Sequence, residues 1–258
     1  HRDLHSFPTR RSSDLISMIF FDEMGLAEHS PNNPLKVIHS QLEYDLNKGY
    51  KKIAFVGISN WALDASKMNR GMYLSIPEPT EEDVQQTALT IGQSYSTELA
   101  KDYASFYQNL GLTYFNYKKY LKHYHNQDGK EDFHGNRDFY HLIKNATRDM
   151  IKQGERDIDS NVLQHIGVES IERNFAGIQF SEGGNKTSLE IVKNIFKERY
   201  PNIQVSREYN VVQRIKENIN DLNSRYLLII SKSSLSSFLL SSIISEEQKE
   251  YSFCVGSK

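Results

Sequence analysis

Ile16-Ser17-Met18-Ile19-Phe20-Phe21-Asp22-Glu23-Met24-Gly25 is an apolar run that stops at two adjacent carboxylates and a glycine. Its apolar residues do not alternate with polar ones, so it predicts a strand buried on both faces, as in a parallel sheet held between helices. Asp22 and Glu23 fall at the carboxyl end of that strand, where open α/β sheets keep their ligands. Two neighbouring acids repel one another unless a cation or a basic group shares their surroundings. Two readings stand side by side. The run is a strand that ends in a polar turn, or a Walker B strand, with Asp22 on Mg²⁺ through water and Glu23 polarising the water that attacks ATP. A motif this short does not choose between them.

Outward from this stretch, Leu26-Ala27-Glu28-His29-Ser30-Pro31-Asn32-Asn33-Pro34 has the composition of a loop. Leu35, Ile38, Leu42 and Leu46 then recur at helical spacing, and Asn47-Lys48-Gly49 supplies a stop. Lys52-Ile53-Ala54-Phe55-Val56-Gly57-Ile58 is a second apolar run, ending in Ser59-Asn60-Trp61. Strand, helix and strand over this length make a βαβ unit with a parallel pair, which puts Asn60 at the same sheet edge as Asp22 and Glu23. Asp64 is placed to cap a short helix ending at Met68-Asn69-Arg70-Gly71, and Met72-Tyr73-Leu74-Ser75-Ile76 reads as a third strand.

Thr80-Glu81-Glu82-Asp83 is a helix start, with Thr80 as cap and acids in the first turn. From there to about Arg199 the pattern is mainly helical. Tyr103, Phe106, Tyr107, Tyr114, Tyr117, Tyr120 and Tyr124 form an aromatic stripe interleaved with lysines. Such a stripe serves either as helix-packing surface or as a platform for single-stranded nucleic acid. The charge balance favours packing: 31 basic against 33 acidic residues, a net −2, carry no nucleic-acid signature. Gly135-Asn136-Arg137-Asp138 opens another helix with Arg137 in its first turn. Ser181-Glu182-Gly183-Gly184-Asn185-Lys186-Thr187-Ser188 imitates a phosphate loop, but Asn185 stands where glycine must let phosphate approach, so it reads as a loop and a helix start.

Tyr226-Leu227-Leu228-Ile229-Ile230 reads as a fresh strand, Ser233 to Ile244 as a serine-rich helix, and Tyr251-Ser252-Phe253-Cys254-Val255-Gly256 as a further strand. Ser231-Lys232-Ser233-Ser234 occupies the place of a phosphate loop without a glycine. Lys232 and the seven serines between Tyr226 and Ile244 argue against a membrane span. Cys254 is the one cysteine, so there is no disulfide framework and no cysteine zinc site within the 258 residues. Residues 1–15 lack apolar periodicity and capping logic. From His5 to Leu15 they resemble the translation of a sequencing adapter, and they are expected to be an artefact and disordered.

An acid pair ending one strand, Asn60 ending the next and Arg70 ending the following helix form an ordered set in which each residue type has a task in phosphoryl transfer. Asp22 would hold the metal, Glu23 would orient or deprotonate water, and Asn60 would hydrogen-bond that water or the γ-phosphate. Arg70 would reach a neighbouring module's site, and Arg137 would contact nucleotide from the helical part. Taken singly, Asn60 is an ordinary strand-end residue and Arg70 an ordinary helix C-terminal charge.

Phe20-Phe21-Asp22-Glu23-Met24-Gly25-Leu26-Ala27-Glu28 with Ser30-Pro31-Asn32-Asn33-Pro34-Leu35-Lys36 is similar to the mysterin family of giant, dynein-like AAA+ ring-finger E3 ubiquitin ligases. So is Gly57-Ile58-Ser59-Asn60-Trp61-Ala62-Leu63-Asp64 with Lys67-Met68-Asn69-Arg70-Gly71. Weaker similarity extends through Asn136-Arg137-Asp138-Phe139-Tyr140 and Ser224-Arg225-Tyr226-Leu227-Leu228. The resemblance implies an α/β fold: a partial AAA+ (P-loop NTPase-like) parallel sheet over 16–79 and a helical lid with a tyrosine-rich insert over 80–200. A linker helix and the start of a second AAA-like module would follow over 201–258.

By the same resemblance Asp22 and Glu23 are Walker B, Asn60 is sensor 1, Arg70 is the arginine finger and Arg137 is sensor 2. ATP and Mg²⁺ are the implied cofactors, with zinc in a ring finger outside this stretch. Neighbouring AAA modules, a ubiquitin-conjugating enzyme and ubiquitin are the implied partners, in the cytosol and at lipid droplets. Two departures bear on activity: no Walker A lysine loop and no ring finger lie within the chain, so this stretch by itself is expected to be inactive. The alternative is an AAA-like scaffold that binds nucleotide without turnover or serves only interactions.

Overall fold

The computed structural model describes residues 18–32, 34–36, 54–69, 71–124, 132–154, 157–180, 186–201, 203, 210–221, 229, 233 and 235–247. The chain divides into two compact units, His1–Pro77 and Glu78–Lys258.

In the first unit β1 (Met18–Phe21) lies parallel to β2 (Ala54–Gly57), in the register Met18↔Ala54, Ile19↔Phe55, Phe20↔Val56 and Phe21↔Gly57. A parallel pair separated by thirty-odd residues is the βαβ arrangement expected from the sequence. The intervening helix is described only at Leu35 and Lys36, where Leu35 is buried; the other positions of that expected helix, Ile38, Leu42 and Leu46, lie outside the described residues. Burial on both faces is not what the structure shows. Met18, Ile19, Phe20 and Val56 are exposed, and Phe21, Ala54 and Phe55 are only half-buried; among the described residues the sheet has two strands. An unbroken apolar run signals that a strand needs cover on two sides; it does not supply the cover.

Two further expectations are corrected. Leu26-Ala27-Glu28, read as the start of a loop, belong to the short helix α1 (Met24–Glu28). Leu26, Ala27 and Glu28 are good helix formers, and the loop composition takes over only from His29. Met72-Tyr73-Leu74-Ser75-Ile76, read as a third strand, has no regular structure, and Met72, Leu74 and Ile76 are exposed. A strand forms only where a neighbour offers its N–H and C=O groups, and no described residue does so here. After β2, Asp64 caps α2 (Ala65–Met68) as its position in the sequence implies, its carboxylate accepting the Ser66 N–H at 2.8 Å.

Among its described residues the second unit is mainly helical. Its elements are α3 (Glu81–Tyr95), α4 (Thr97–Asp102), α5 (Ala104–Tyr124), α6 (Asn136–Gln153), α7 (Ser160–Asn174), α8 (Ser188–Arg199), α9 (Val211–Asn220) and α10 (Ser236–Glu246). Thr80 and Asp83 form a reciprocal capping box at the start of α3, at 3.2 and 2.9 Å. Thr187 and Glu190 repeat it for α8, at 3.2 and 2.8 Å. Each box satisfies amide donors that a helix start leaves unpaired. Helix α3 packs on α5 and α6, α6 on α7, and α5 on α8. At the α3–α5 crossing a side chain on Gly111 would stand 3.1 Å from the Val84 carbonyl oxygen, so the backbones approach as closely as glycine permits.

The tyrosine-rich stretch is this unit's core. Phe106, Tyr107, Tyr114 and Tyr117 on α5 are buried, and Tyr103 and Tyr120 pack at the margin. Tyr114 stacks on Phe139 with ring centroids 4.7 Å apart. Buried tyrosines need partners for their hydroxyls, and these have them. Tyr107 donates to Thr147 Oγ1 at 3.1 Å, Tyr114 to Asn136 Oδ1 at 3.2 Å, and Tyr117 pairs with His134 Nδ1 at 2.9 Å. Such rings are helix-packing surface, not an open stacking platform.

On α7, the Glu172 carboxylate accepts from Lys193 on α8 at 2.5 Å and from Arg214 on α9 at 2.6 Å, tying three helices at one point. The serine-rich helix appears as α10. The strands expected at Tyr226–Ile230 and Tyr251–Gly256 fall outside the described residues, apart from Ile229, which is in neither strand nor helix. No helix among the described residues is long and apolar enough to cross a membrane.

Candidate active site

The parallel ladder runs past the strand ends. Ile58 N–H donates to the Phe21 carbonyl at 2.9 Å, and Met24 N–H donates to the Ile58 carbonyl at 2.8 Å. Asp22 and Glu23 are therefore enclosed between two cross-strand bonds to Ile58, and Asn60 follows Ile58 by two residues. All three lie at the carboxyl edge of β1 and β2, and all three are exposed.

Glu23 occupies the left-handed region, at φ 53° and ψ 42°. A side-chain-bearing residue there is strained by about 1–2 kcal/mol, because its Cβ crowds the following carbonyl. The Asp22 carboxylate stabilises the turn by accepting the Glu23 N–H on Oδ1 at 2.9 Å. Its Oδ2, and the whole Glu23 carboxylate, have no hydrogen-bond partner among the described residues. Hard, exposed carboxylate oxygens of this kind suit Mg²⁺, which keeps most of its own waters and takes few protein ligands.

Asn60 sits inside a tight turn. The Ser59 hydroxyl donates to the Trp61 carbonyl at 2.6 Å and accepts the Trp61 N–H at 3.4 Å. The Trp61 indole lies flush on Gly25: a Cβ at residue 25 would fall 2.5 Å from Nε1. Glycine is required there by close approach. The His29 ring lies beside the same indole, with centroids 6.0 Å apart.

Farther along, Glu28 Oε1 at the end of α1 accepts the Asp64 N–H at 3.0 Å and Lys67 Nζ at 2.6 Å. Lys67 also reaches Asp64 Oδ2 at 3.2 Å. The hydrogen bond from Lys67, with that from the Asp64 backbone, lowers the Glu28 pKa, and Glu28 in turn raises that of Lys67. Asp64 is drawn down to about 2, chiefly by the backbone and hydroxyl of Ser66 and then by Lys67.

Of the remaining sequence-derived positions, Arg70 lies outside the described residues. Arg137 lies in the second unit, exposed, in the first turn of α6, where Asp138 Oδ2 accepts the Gly135 N–H at 2.9 Å. The sequence gives Glu28, Trp61 and Lys67 no individual role. The bonds to Glu28 from Asp64 and Lys67 span 36 and 39 positions, and no local periodicity reports them.

A family model described as the RNF213 AAA domain matches residues 3–83. The chain is 33% identical over 235 residues to the E3 ubiquitin-protein ligase rnf213-beta of Danio rerio, an alignment covering 88% of this chain and 4% of that protein. It is 32% identical to E3 ubiquitin-protein ligase RNF213 of Mus musculus over 91% of this chain, and to that of Homo sapiens over 94%, again covering 4% of each relative. The chain thus spans about 4% of the length of the curated relatives it matches. No solved structure matches it. The agreement runs through both units and includes the stretch that carries Asp22, Glu23 and Asn60, and the chain belongs to the RNF213 family.

Proposed function

We propose that the carboxyl edge of β1 and β2 is the hydrolytic half of an ATPase site. The observation that carries this reading is the shared edge: two exposed carboxylates and an amide follow adjacent parallel strands within two or three residues of the last ladder bonds. The match to an AAA domain over the same residues supports it.

In this reading Asp22 holds Mg²⁺ through water by its free Oδ2. Glu23 accepts a hydrogen bond from the attacking water and takes its proton, and Asn60 orients that water or a γ-phosphate oxygen. Mg²⁺, when bound, neutralises charge on the phosphate oxygens. Arg70 acts as an arginine finger towards a neighbouring AAA module of the same protein, and Arg137 contacts the nucleotide as sensor 2. The relatives' names are those of E3 ubiquitin-protein ligases. The module accordingly serves a ubiquitin ligase whose contacts with ubiquitin and its conjugating enzyme lie elsewhere in the protein.

The test is Glu23→Gln in the full-length protein. Nucleotide binding should persist while ATP turnover falls about 10²–10⁴-fold, the range for losing a positioned general base. Unchanged hydrolysis would remove Glu23 from the mechanism. Binding without turnover in the wild type would favour a scaffold instead.

A further inference from the structure

We infer that the Glu28–Lys67 pair is a strut that holds the Asn60 turn at a set distance from the Glu23 turn, which makes Glu28 and Lys67 positioning residues of the proposed hydrolytic site. The inference rests on that reading of the edge and adds residues to it.

The covalent geometry is short at both ends. Helix α1 starts immediately after Glu23 and ends at Glu28, so five residues at about 1.5 Å each place Glu28 about 7 Å along the axis from the candidate base. On the other strand, Asn60 is followed at once by Trp61, and then by Asp64 and Lys67 on α2. The segment 58–67 is tied to the segment 21–28 at three successive levels. Strand bonds join Ile58 to Phe21 and Met24. The Trp61 indole rests on Gly25. Glu28 takes both the Asp64 N–H and the Lys67 ammonium on one oxygen. The third level lies farthest along both segments from the strand bonds.

An ordinary surface ion pair would not constrain a loop, because water and side-chain entropy nearly cancel it. This one differs in three respects. The Lys67 and Glu28 side chains are only 14% and 16% exposed. Glu28 also takes a backbone donor, which fixes the chain itself and not merely a mobile side chain. Asp64 donates its N–H to Glu28 while its carboxylate caps α2 and accepts from Lys67, so Glu28, Asp64 and Lys67 close a triangle. Loosening its one cationic corner leaves the Asp64 N–H as the loop's one remaining hydrogen bond to Glu28, without touching Asp22, Glu23 or Asn60. Misplacement of a reacting group by about 1 Å is enough to lower a rate by about 10²-fold.

The experiment compares Lys67→Met and Lys67→Arg by two readouts. In the 258-residue chain Trp61 is the single tryptophan, and its quenching by acrylamide reports whether the indole stays on Gly25. In the full-length protein, nucleotide affinity and ATP turnover are measured alongside Glu23→Gln. Lys67→Met should increase quenching and cut turnover about 10- to 100-fold, with nucleotide affinity within about threefold of wild type. Lys67→Arg, which keeps the charge and the donors, should restore both. Unchanged quenching and turnover in Lys67→Met, while Glu23→Gln remains inactive, would overturn the strut and leave the ATPase reading intact. Equal losses of affinity and turnover would overturn it as well, since they report a damaged fold. Absence of any Glu23-dependent turnover in the wild type would defeat the ATPase reading, and the positioning role with it.

Discussion

Glu23 is held in a conformation that its side chain disfavours, and that gives a prediction independent of any assay for activity. At φ 53° and ψ 42° the contact between Cβ and the following carbonyl costs about 1–2 kcal/mol. Glycine escapes the contact but loses about 0.5–1 kcal/mol more chain entropy on folding. The difference predicts that Glu23→Gly stabilises the first unit by about 0.5–1 kcal/mol. Glu23→Gln keeps the Cβ and should leave stability within about 0.5 kcal/mol of wild type, since the exposed carboxylate has no described partner to lose. Trp61, the single tryptophan, packs on Gly25 two residues beyond the substitution, so its fluorescence follows this unit during urea unfolding. With a slope of about 1 kcal/mol per molar urea, the Gly variant's midpoint should lie about 0.5–1 M above that of the Gln variant. A Gly midpoint at or below the Gln midpoint would refute the strain. If the proposed function holds, both variants also lack turnover, the pattern expected where strain is retained for chemistry.

Two predictions concern the second unit. Glu172→Gln leaves Lys193 without its carboxylate and Arg214 with only Glu217, in a place where the Glu172 side chain is 5% exposed. Removing one member of a buried ion cluster costs about 3–5 kcal/mol, and the remaining Glu217 partner sets the expectation near about 3 kcal/mol. Denaturation followed by far-ultraviolet circular dichroism would detect it, and a loss under about 1 kcal/mol would mean that solvent reaches the cluster. Burial holds the His134 imidazole below its usual 6.5, against smaller opposing effects from Asp138 and the Ala176 backbone, with Lys118 adding to the shift. The unfolded chain therefore takes up this proton first as pH falls. The stabilisation from neutral His134 is complete above about 6.5 and is lost as pH drops through the lower folded value. The melting temperature should fall between about pH 7.5 and about pH 5.5, and His134→Gln should flatten that fall.

The Thr80 cap, the Asp64 cap and the helix that begins at Asn136 were legible in the sequence because each depends on groups within four residues of one another. The aromatic stripe of α5 was legible as packing surface for a related reason: its spacing follows the helical period, and the balanced charge left it no polyanion to bind. The parallel pairing of Met18–Phe21 with Ala54–Gly57 followed from the length of the crossover, and with it the common edge of Asp22, Glu23 and Asn60. The helix at Met24–Glu28 was not legible, because glycine, histidine and proline nearby outweigh its three good helix formers in any composition window.

By itself, then, the sequence of this protein determined where α2, α3 and α6 start, which rows of residues are apolar, and which family its early blocks belong to. Only the tertiary structure decided which apolar rows are covered: Tyr107 and Tyr117 are, while Met18, Phe20 and Met72 are not. It alone decided that Glu28 meets Lys67, that Trp61 rests on Gly25, and that Glu172 collects two cations from other helices. Capping and periodicity act between neighbours along the chain. Cover and charge pairing act between segments that loop closure brings together, and a chain read one window at a time carries no record of those distances.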